Sequence, residues 1–318
     1  MKKVLITGAS GFVGGYVAEH LLSLNDYDIY GTYLTEESKE SSPVKDFIHF
    51  SQADLEDKSQ IQKLISEVRP EWIFHLAAQA SVPKSFKDPI GTFHSNIDVE
   101  INLFETLREQ ELLETKVLVV GSAEEYGYVT PEDLPVDENT PLRPASPYSV
   151  SKIAQDFLAF QYSLSYKMPL IRVRPFNHVG PRQAPGFVVS DFCKYIAEVE
   201  KGLKEPIMKV GNMQAKRDFT DVRDMVKAYV LLMEKGEKGE VYNIGSGKSH
   251  AIQEIFDILV SLSAVKITTE SDPAKFRPSD IPEIVVDNTK ISTLTGWKSE
   301  IPLEVTLKDT LDYWRKMV

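Results

Sequence analysis

Read for its hydrophobic and polar positions, the chain alternates between short apolar runs and longer stretches of helical period. The run "KKVLITG" (2–8) is apolar, rich in β-branched residues and closed by glycine, the pattern of a strand buried on both faces. "FVGGYVAEHLLSLN" (12–25) then repeats its apolar positions at helical spacing, and "YDIYGTYL" (27–34) predicts a second strand. "SQIQKLISEV" (59–68) predicts an amphipathic helix and "EWIFHLAA" (71–78) another buried strand. "NIDVEINLFETLREQ" (96–110) reads as helix, "KVLVVGS" (116–122) as strand, "SKIAQDFLAFQYSLSYK" (151–167) as a long helix and "PLIRVRP" (169–175) as a strand. Strands alternating with helices predict an α/β fold: a Rossmann-type, doubly wound parallel sheet covered on both faces.

The pattern changes after Pro175, where "FNHVGPRQAPG" is rich in loop formers and the apolar segments become shorter and interrupted. "VRDMVKAYVLLMEKG" (222–236) and "EVYNIGSG" (240–247) read as one more helix and strand returning to the first sheet. The expected organisation is a dinucleotide-binding domain over 1–175, with 217–247 returning to it. A smaller C-terminal α/β substrate-binding domain over 176–216 and 248–318 would close a cleft against it.

Composition narrows the function. The formal net charge of -11 and pI ≈ 5.2 argue against non-specific binding of nucleic acid or anionic membrane, both of which need a basic surface. A single cysteine, Cys193, excludes an internal disulfide, and no stretch approaches the roughly eighteen apolar residues of a membrane span. A cytoplasmic protein is expected. The histidines and the cysteine show no ligand spacing, so no metal is expected.

Two motifs carry chemistry. "TGASGFVGG" places Gly8, Gly11 and Gly14 between the first strand and the first helix. A tight turn, close approach of backbone to a pyrophosphate and close helix packing each call for glycine there, and the helix N-terminus favours the anion. The second strand ends on Thr32 where an acid would bind the ribose hydroxyls of NAD, which favours NADP(H) over NAD(H). Asp54 and Leu55 are placed to frame the adenine, although Asp54 or Asp57 reads equally as a helix cap. In "PYSVSK", Tyr148 and Lys152 lie one helical turn apart. A phenol titrates near ~10, and an ammonium beside it makes it a usable proton carrier at neutral pH. Ser122, closing a strand upstream, is placed to bond the same substrate oxygen.

These segments, with "HLAA" (75–78), "GSAEEYG" (121–127) and "RPFNHVGP" (174–181), resemble the extended short-chain dehydrogenase/reductases that act on nucleotide sugars. "FNHVGPR", "GFV" (186–188), "VGNMQAKRDF" (210–219) and "RPSD" (277–280) resemble its GDP-mannose branch of 4,6-dehydratases and 4-keto-6-deoxy-sugar reductases. The resemblance implies that Ser122, Tyr148 and Lys152 are catalytic, with Glu124 beside them. It implies cofactor contacts from Gly8, Ser10, Gly11, Phe12, Val13, Gly14, Thr32, Asp54, Leu55, Leu76, Ala77, Ala78, Tyr148, Lys152 and Pro175. Ser81, Glu124, Asn177, Phe187, Val188, Lys209, Arg217, Arg277 and Asp280 are the implied substrate contacts. Arg217 and Arg277 suit a diphosphate, because guanidinium forks bond its oxygens in pairs, although Arg217 beside Asp218 also reads as a plain salt bridge. The resemblance further implies a homodimer that pairs the helices beginning near Asn96 and Tyr148 into a four-helix bundle.

Glu124 separates two activities. A 4,6-dehydratase needs an acid/base beyond the tyrosine to eliminate water, and that branch uses a glutamate two residues after its Ser/Thr, where Glu124 stands. Against elimination, the first loop reads "GASGFVG" where dehydratases typically carry "GxTGQDG". "TYLTEESKESSP" lacks their arginine pair, and Asp191 replaces a substrate lysine. The expectation is a reductase acting on the 4-keto group of a nucleotide-linked 4-keto-6-deoxyhexose, GDP-linked by preference, in which Glu124 contacts substrate. The 4,6-dehydratase is the alternative. A non-catalytic dinucleotide-binding regulator would commonly lack the tyrosine or the lysine, and both are present.

Overall fold

The computed structural model describes residues 1–276 and 281–318. Six strands run through the first half: β1 (Lys2–Thr7), β2 (Tyr27–Tyr33), β3 (His49–Gln52), β4 (Trp72–His75), β5 (Lys116–Val120) and β6 (Leu170–Pro175). The second half adds β7 (Asn177–Val179), β8 (Ile207–Val210), β9 (Lys216–Asp221), β10 (Val241–Ile244), β11 (Ser249–Ala251), β12 (Thr268–Ser271) and β13 (Glu283–Ile284). The main sheet has seven strands in the order β10-β6-β5-β4-β1-β2-β3. Every neighbouring pair in it is parallel. The order reverses between β1 and β4, and at such a switch point a crevice opens at the carboxyl ends of the strands.

Helices cover both faces, as the alternating pattern requires. On one face Phe12–Leu24 and Val222–Lys235 pack against Val4, Ile6, Phe74 and Leu118. On the other, Lys58–Val68, Val99–Glu109 and Pro147–Tyr166 pack against Leu5, Ile73, Val117 and Val119. Alternate residues of each strand thus feed different cores, which is why the strands read as continuous apolar runs. The strand 241–244 pairs with β6 at the sheet edge, the return that its sequence predicts.

The remaining residues build a second core. Helices Val188–Glu200, Ile252–Ser261 and Leu303–Met317 enclose Val189, Phe192, Ile196, Ile255, Leu259 and Leu307. Two small sheets lie beside them, one joining β9 to β7, β11 and β13, the other pairing β8 with β12. Several of these strands are only two to four residues long, too short for a period-2 pattern to stand out. Among the described residues no helix is long and apolar enough to cross a membrane.

Candidate active site

The candidate residues of the main sheet gather along the carboxyl ends of its strands. After β1, Gly8 adopts φ +71°, and a Cβ on Gly14 would sit 2.2 Å from the Gly8 carbonyl oxygen. Only a bare backbone makes this turn. Gly11 caps the helix Phe12–Leu24 without any side-chain acceptor, so the first-turn N–H groups face outward as an anion cradle. These features fit a pyrophosphate. Ser10 Oγ donates to Ser38 Oγ at 3.2 Å, tying the segment after β2 to the loop. Phe12 stacks on His178 and Val13 packs into the core.

Thr32 is buried, and its hydroxyl accepts from Gly8 N at 2.9 Å. It shapes the glycine turn from beneath. Asp54 is exposed and its carboxylate accepts from Glu56 N, whereas Asp57 caps the helix Lys58–Val68 through Ser59 N. Leu55 is buried and packs with Ile61, Leu103 and their neighbours. After β4, the backbone N–H groups of Leu76 and Ala77 donate to Thr7 Oγ1 at 3.1 and 3.2 Å, and Ala78 is exposed just beyond. Ser81 caps the short helix Val82–Lys87. The loop between them is held by Asn96, whose amide bonds both backbone groups of Gln79 and donates to Ser151 Oγ. Asn96 was not anticipated. A fully buried asparagine in a polar helix start carries no sequence mark of its own.

Ser122 follows β5 and caps a single turn, Ala123–Glu125. Its Oγ accepts from Glu124 N at 3.2 Å, and its own N–H donates to Glu125 Oε1 at 2.7 Å. Tyr148 sits in the first turn of Pro147–Tyr166, the helix that Ser146 caps. Tyr148 is buried. Burial pushes its hydroxyl above the usual phenol range, a hydrogen bond with Ser122 pulls it down, and the charges of Glu124 and Glu125 push it up. Ser122 and Glu124 share this single turn, and both act on the Tyr148 hydroxyl.

Lys152, one turn on from Tyr148 in the same helix, is held from within the fold. Its ammonium donates to Val120 O and to Gln155 Oε1, both at 2.8 Å. Lys152 is buried, and desolvation pulls it down to about 8, against the charges of Glu100 and Glu125.

Behind Lys152 lies a buried polar cluster that the sequence did not reveal. Gln155 Nε2 donates to Glu100 Oε2 at 2.8 Å. Arg174 Nε lies 2.9 Å from Glu125 Oε2, an ion pair without an aligned hydrogen bond, and its Nη2 bonds Asp156. Arg172 bonds the other Asp156 oxygen at 3.0 Å. Burial pushes both Glu100 and Glu125 upward from the usual carboxylate range.

The substrate candidates lie farther along the chain. Pro175 ends β6 and is buried, while the exposed Asn177 donates to Asp218 O at 3.2 Å. Phe187, exposed, and Val188 open the helix Val188–Glu200, and the exposed Lys209 lies on β8. Arg217 Nη1 donates to Ile281 O at 2.7 Å. Asp218 turns the other way on β9 and takes Ser246 N, Ser246 Oγ and Gly247 N at 2.7–2.9 Å. The plain Arg217–Asp218 salt bridge is thus not what this pair forms, because neighbours on a strand face opposite sides. Arg277 and Asp280 lie outside the described residues.

The chain is similar to known proteins along its whole length. A family model described as GDP-mannose 4,6 dehydratase matches residues 5–310. GDP-6-deoxy-D-mannose reductase of Pseudomonas aeruginosa is 31% identical over 317 residues, covering 100% of this chain and 98% of the relative. The solved structure of RMD from Pseudomonas aeruginosa complexed with NADPH superposes with TM-score 0.86 at 29% identity, covering 100% of both chains. The Thermus thermophilus UDP-glucose 4-epimerase complex with NAD has TM-score 0.86 at 29% identity, covering 99% of this chain and 100% of that one.

Proposed function

The chain belongs to the GDP-mannose 4,6 dehydratase family, and from that membership we propose that it is a reductase of nucleotide-linked 4-keto-6-deoxyhexoses. The preferred substrate is GDP-4-keto-6-deoxy-D-mannose and the product GDP-D-rhamnose. The observation that carries this reading is whole-length similarity to a GDP-6-deoxy-D-mannose reductase, together with a buried Tyr148 whose hydroxyl is influenced by Ser122.

A reduced nicotinamide dinucleotide, when bound, supplies hydride to carbon 4 of the sugar. The chain's own residues manage the oxygen. Ser122 and Tyr148 bond the carbonyl oxygen, and Tyr148 gives it the proton that completes the alcohol. Lys152, charged below about 8, stabilises the phenolate left on Tyr148. Gly8, Gly11 and Gly14 hold the pyrophosphate, with Leu76 to Ala78, Asp54, Leu55 and Pro175 around the rest of the cofactor. NADP(H) is favoured over NAD(H), because the Thr32 hydroxyl is engaged by Gly8 N and presents no carboxylate that would repel a 2′-phosphate. Ser81, Glu124, Asn177, Phe187, Val188, Lys209, Arg217, Arg277 and Asp280 hold the sugar nucleotide, the segments 176–216 and 248–318 forming its domain.

A cytoplasmic homodimer completes the proposal. Val150, Phe157, Phe160 and Leu164 are exposed at spacings that place them along one side of the helix Pro147–Tyr166, a stripe that a second copy would cover.

The runner-up is the 4,6-dehydratase, favoured by Glu124, whose charge reaches the Tyr148 hydroxyl. One assay separates the two. Purified protein with NADPH and GDP-4-keto-6-deoxymannose is expected to oxidise the cofactor stoichiometrically, leave GDP-mannose untouched, and lose less than about tenfold in rate as Glu124→Gln, below the range for loss of a proton-transfer group. Conversion of GDP-mannose to a 4-keto product without net cofactor change, abolished by Glu124→Gln, would establish the dehydratase. Faster turnover of a UDP- or dTDP-linked keto sugar would correct the base.

A further inference from the structure

Glu100 is a fully buried acid on the helix Val99–Glu109 to which the proposed reaction assigns no task. Its surroundings differ from those of the other buried acids in the cluster. Glu125 faces Arg174, and Asp156 is held by both Arg172 and Arg174. Among the described residues Glu100 has no arginine partner. One oxygen accepts from Gln155 Nε2, and the other has no partner among the described residues.

The direction of these bonds matters. An amide has one accepting and one donating end, and an ammonium can only donate. Lys152 therefore requires the oxygen end of Gln155, and Glu100 takes the nitrogen end. Val120 O takes a second N–H of the ammonium. Two of its three N–H groups are thus tied into the protein, which fixes the lysine against rotation and leaves the third for ligand or solvent. Without an acceptor at Glu100, the amide could turn its N–H groups toward Lys152 and lose that bond.

We propose that Glu100 is a positioning residue for the reduction, which by accepting the N–H end of the Gln155 amide obliges it to present oxygen to Lys152. The proposal rests on the reductase reading for its chemistry, though not for its geometry. Burial holds the Glu100 carboxyl well above the usual range, against the Gln155 hydrogen bond and the charge of Lys152. The other groups around Lys152 leave this role to Glu100: Glu125 is committed to Arg174 and Ser122 N. His75 on β4 is fully buried and held neutral, with a value of about 3, by desolvation.

The test compares Glu100→Met, Glu100→Gln, Gln155→Met and the Glu100→Met/Gln155→Met double variant. The readouts are kcat, KM and the pH profile of kcat/KM with NADPH and the keto sugar. The pH dependence of NADPH binding, read by tryptophan fluorescence, is measured in parallel. Glu100→Met is expected to lower kcat about tenfold, less than the roughly 10²–10⁴-fold that a proton donor itself supplies, with sugar KM within about twofold. Its ammonium loses an acceptor, so the alkaline limb moves to lower pH by roughly half a unit. Glu100→Gln, which keeps a carbonyl oxygen for Gln155, is expected to keep kcat within about threefold of wild type. Gln155→Met should match Glu100→Met, and the double variant should be no worse, because the two side chains act as one chain.

A wild-type rate and limb in Glu100→Met would overturn the proposal. So would a loss in Glu100→Gln as large as in Glu100→Met, or additive effects in the double variant. If Glu100→Met fails to fold, Gln155→Met carries the same expectation. Absence of wild-type turnover on the keto sugar would sink the reductase reading alone, and the shift of the NADPH-binding limb would still decide Glu100.

Discussion

Asp218 and Glu100 are both fully buried acids, yet they sit in opposite kinds of surroundings. Asp218 is surrounded by neutral donors from Ser246 and Gly247, with Val286 N farther off at 3.4 Å. Burial raises its pKa, and each of these bonds pulls it back. Those donors belong to loops distant in sequence, so the carboxylate pins the turn after β10 to β9. Glu100 instead has one neutral neighbour, Gln155, and beyond it an ionisable lysine. A buried acid satisfied by fixed backbone dipoles organises the chain, whereas one linked to another titratable group sets that group's direction and charge.

Breaking each side of this comparison should give different signatures. The largest effect is expected from Tyr148→Phe on the chemical side: a fall in kcat of roughly 10²–10⁴-fold, the usual contribution of a placed proton donor. The thermal midpoint should change little, because the ring and its packing remain. A variant that kept its rate would move the proton donor elsewhere, with Glu124 the first candidate.

Asp218→Ala should do the reverse. Losing the three hydrogen bonds from Ser246 and Gly247 is expected to cost about 3 kcal/mol, at roughly 1 kcal/mol net for each. Urea unfolding reads this loss. Turnover per folded molecule should fall far less than in Tyr148→Phe, and a collapse of kcat in a stable variant would erase the distinction between the two acids.

The smallest effect concerns pH and sharpens the chemical side alone. Desolvation lowers Lys152 to about 8, so its ammonium is present below that pH and lost above it. In the free enzyme kcat/KM should hold level up to about 8 and then decline, approaching tenfold per unit. A profile level to about 10, near the ordinary lysine value, would mean that the buried acids keep the ammonium charged against desolvation.

Much of this frame was legible before the fold. Gly8, Gly11 and Gly14 follow an apolar run directly, and the steric demand that only glycine meets there is local. Tyr148 and Lys152 lie one turn apart on one helix, so their proximity follows from helical period. The edge strand Val241–Ile244 announced itself in the same way, by a short apolar run after an amphipathic helix. The split between Asp54 and Asp57 was not legible. Both precede a helix, and only the chain's path shows that Asp57 reaches Ser59 N while Asp54 reaches Glu56 N.

What the sequence determined by itself is what short-range sterics and periodicity control: the order of strands and helices, the bare glycine turn, and a tyrosine and lysine on a common face. The tertiary structure decided which acids became chemical neighbours. Glu100 meets Gln155 from a helix 55 residues away, Arg174 reaches Asp156 from the next strand, and Asp218 turns from Arg217 toward the Ser246 loop. The reason is physical. The cost of burying a carboxylate, and the partner that offsets it, depend on what packing brings within hydrogen-bond reach, and one residue's identity carries no record of that.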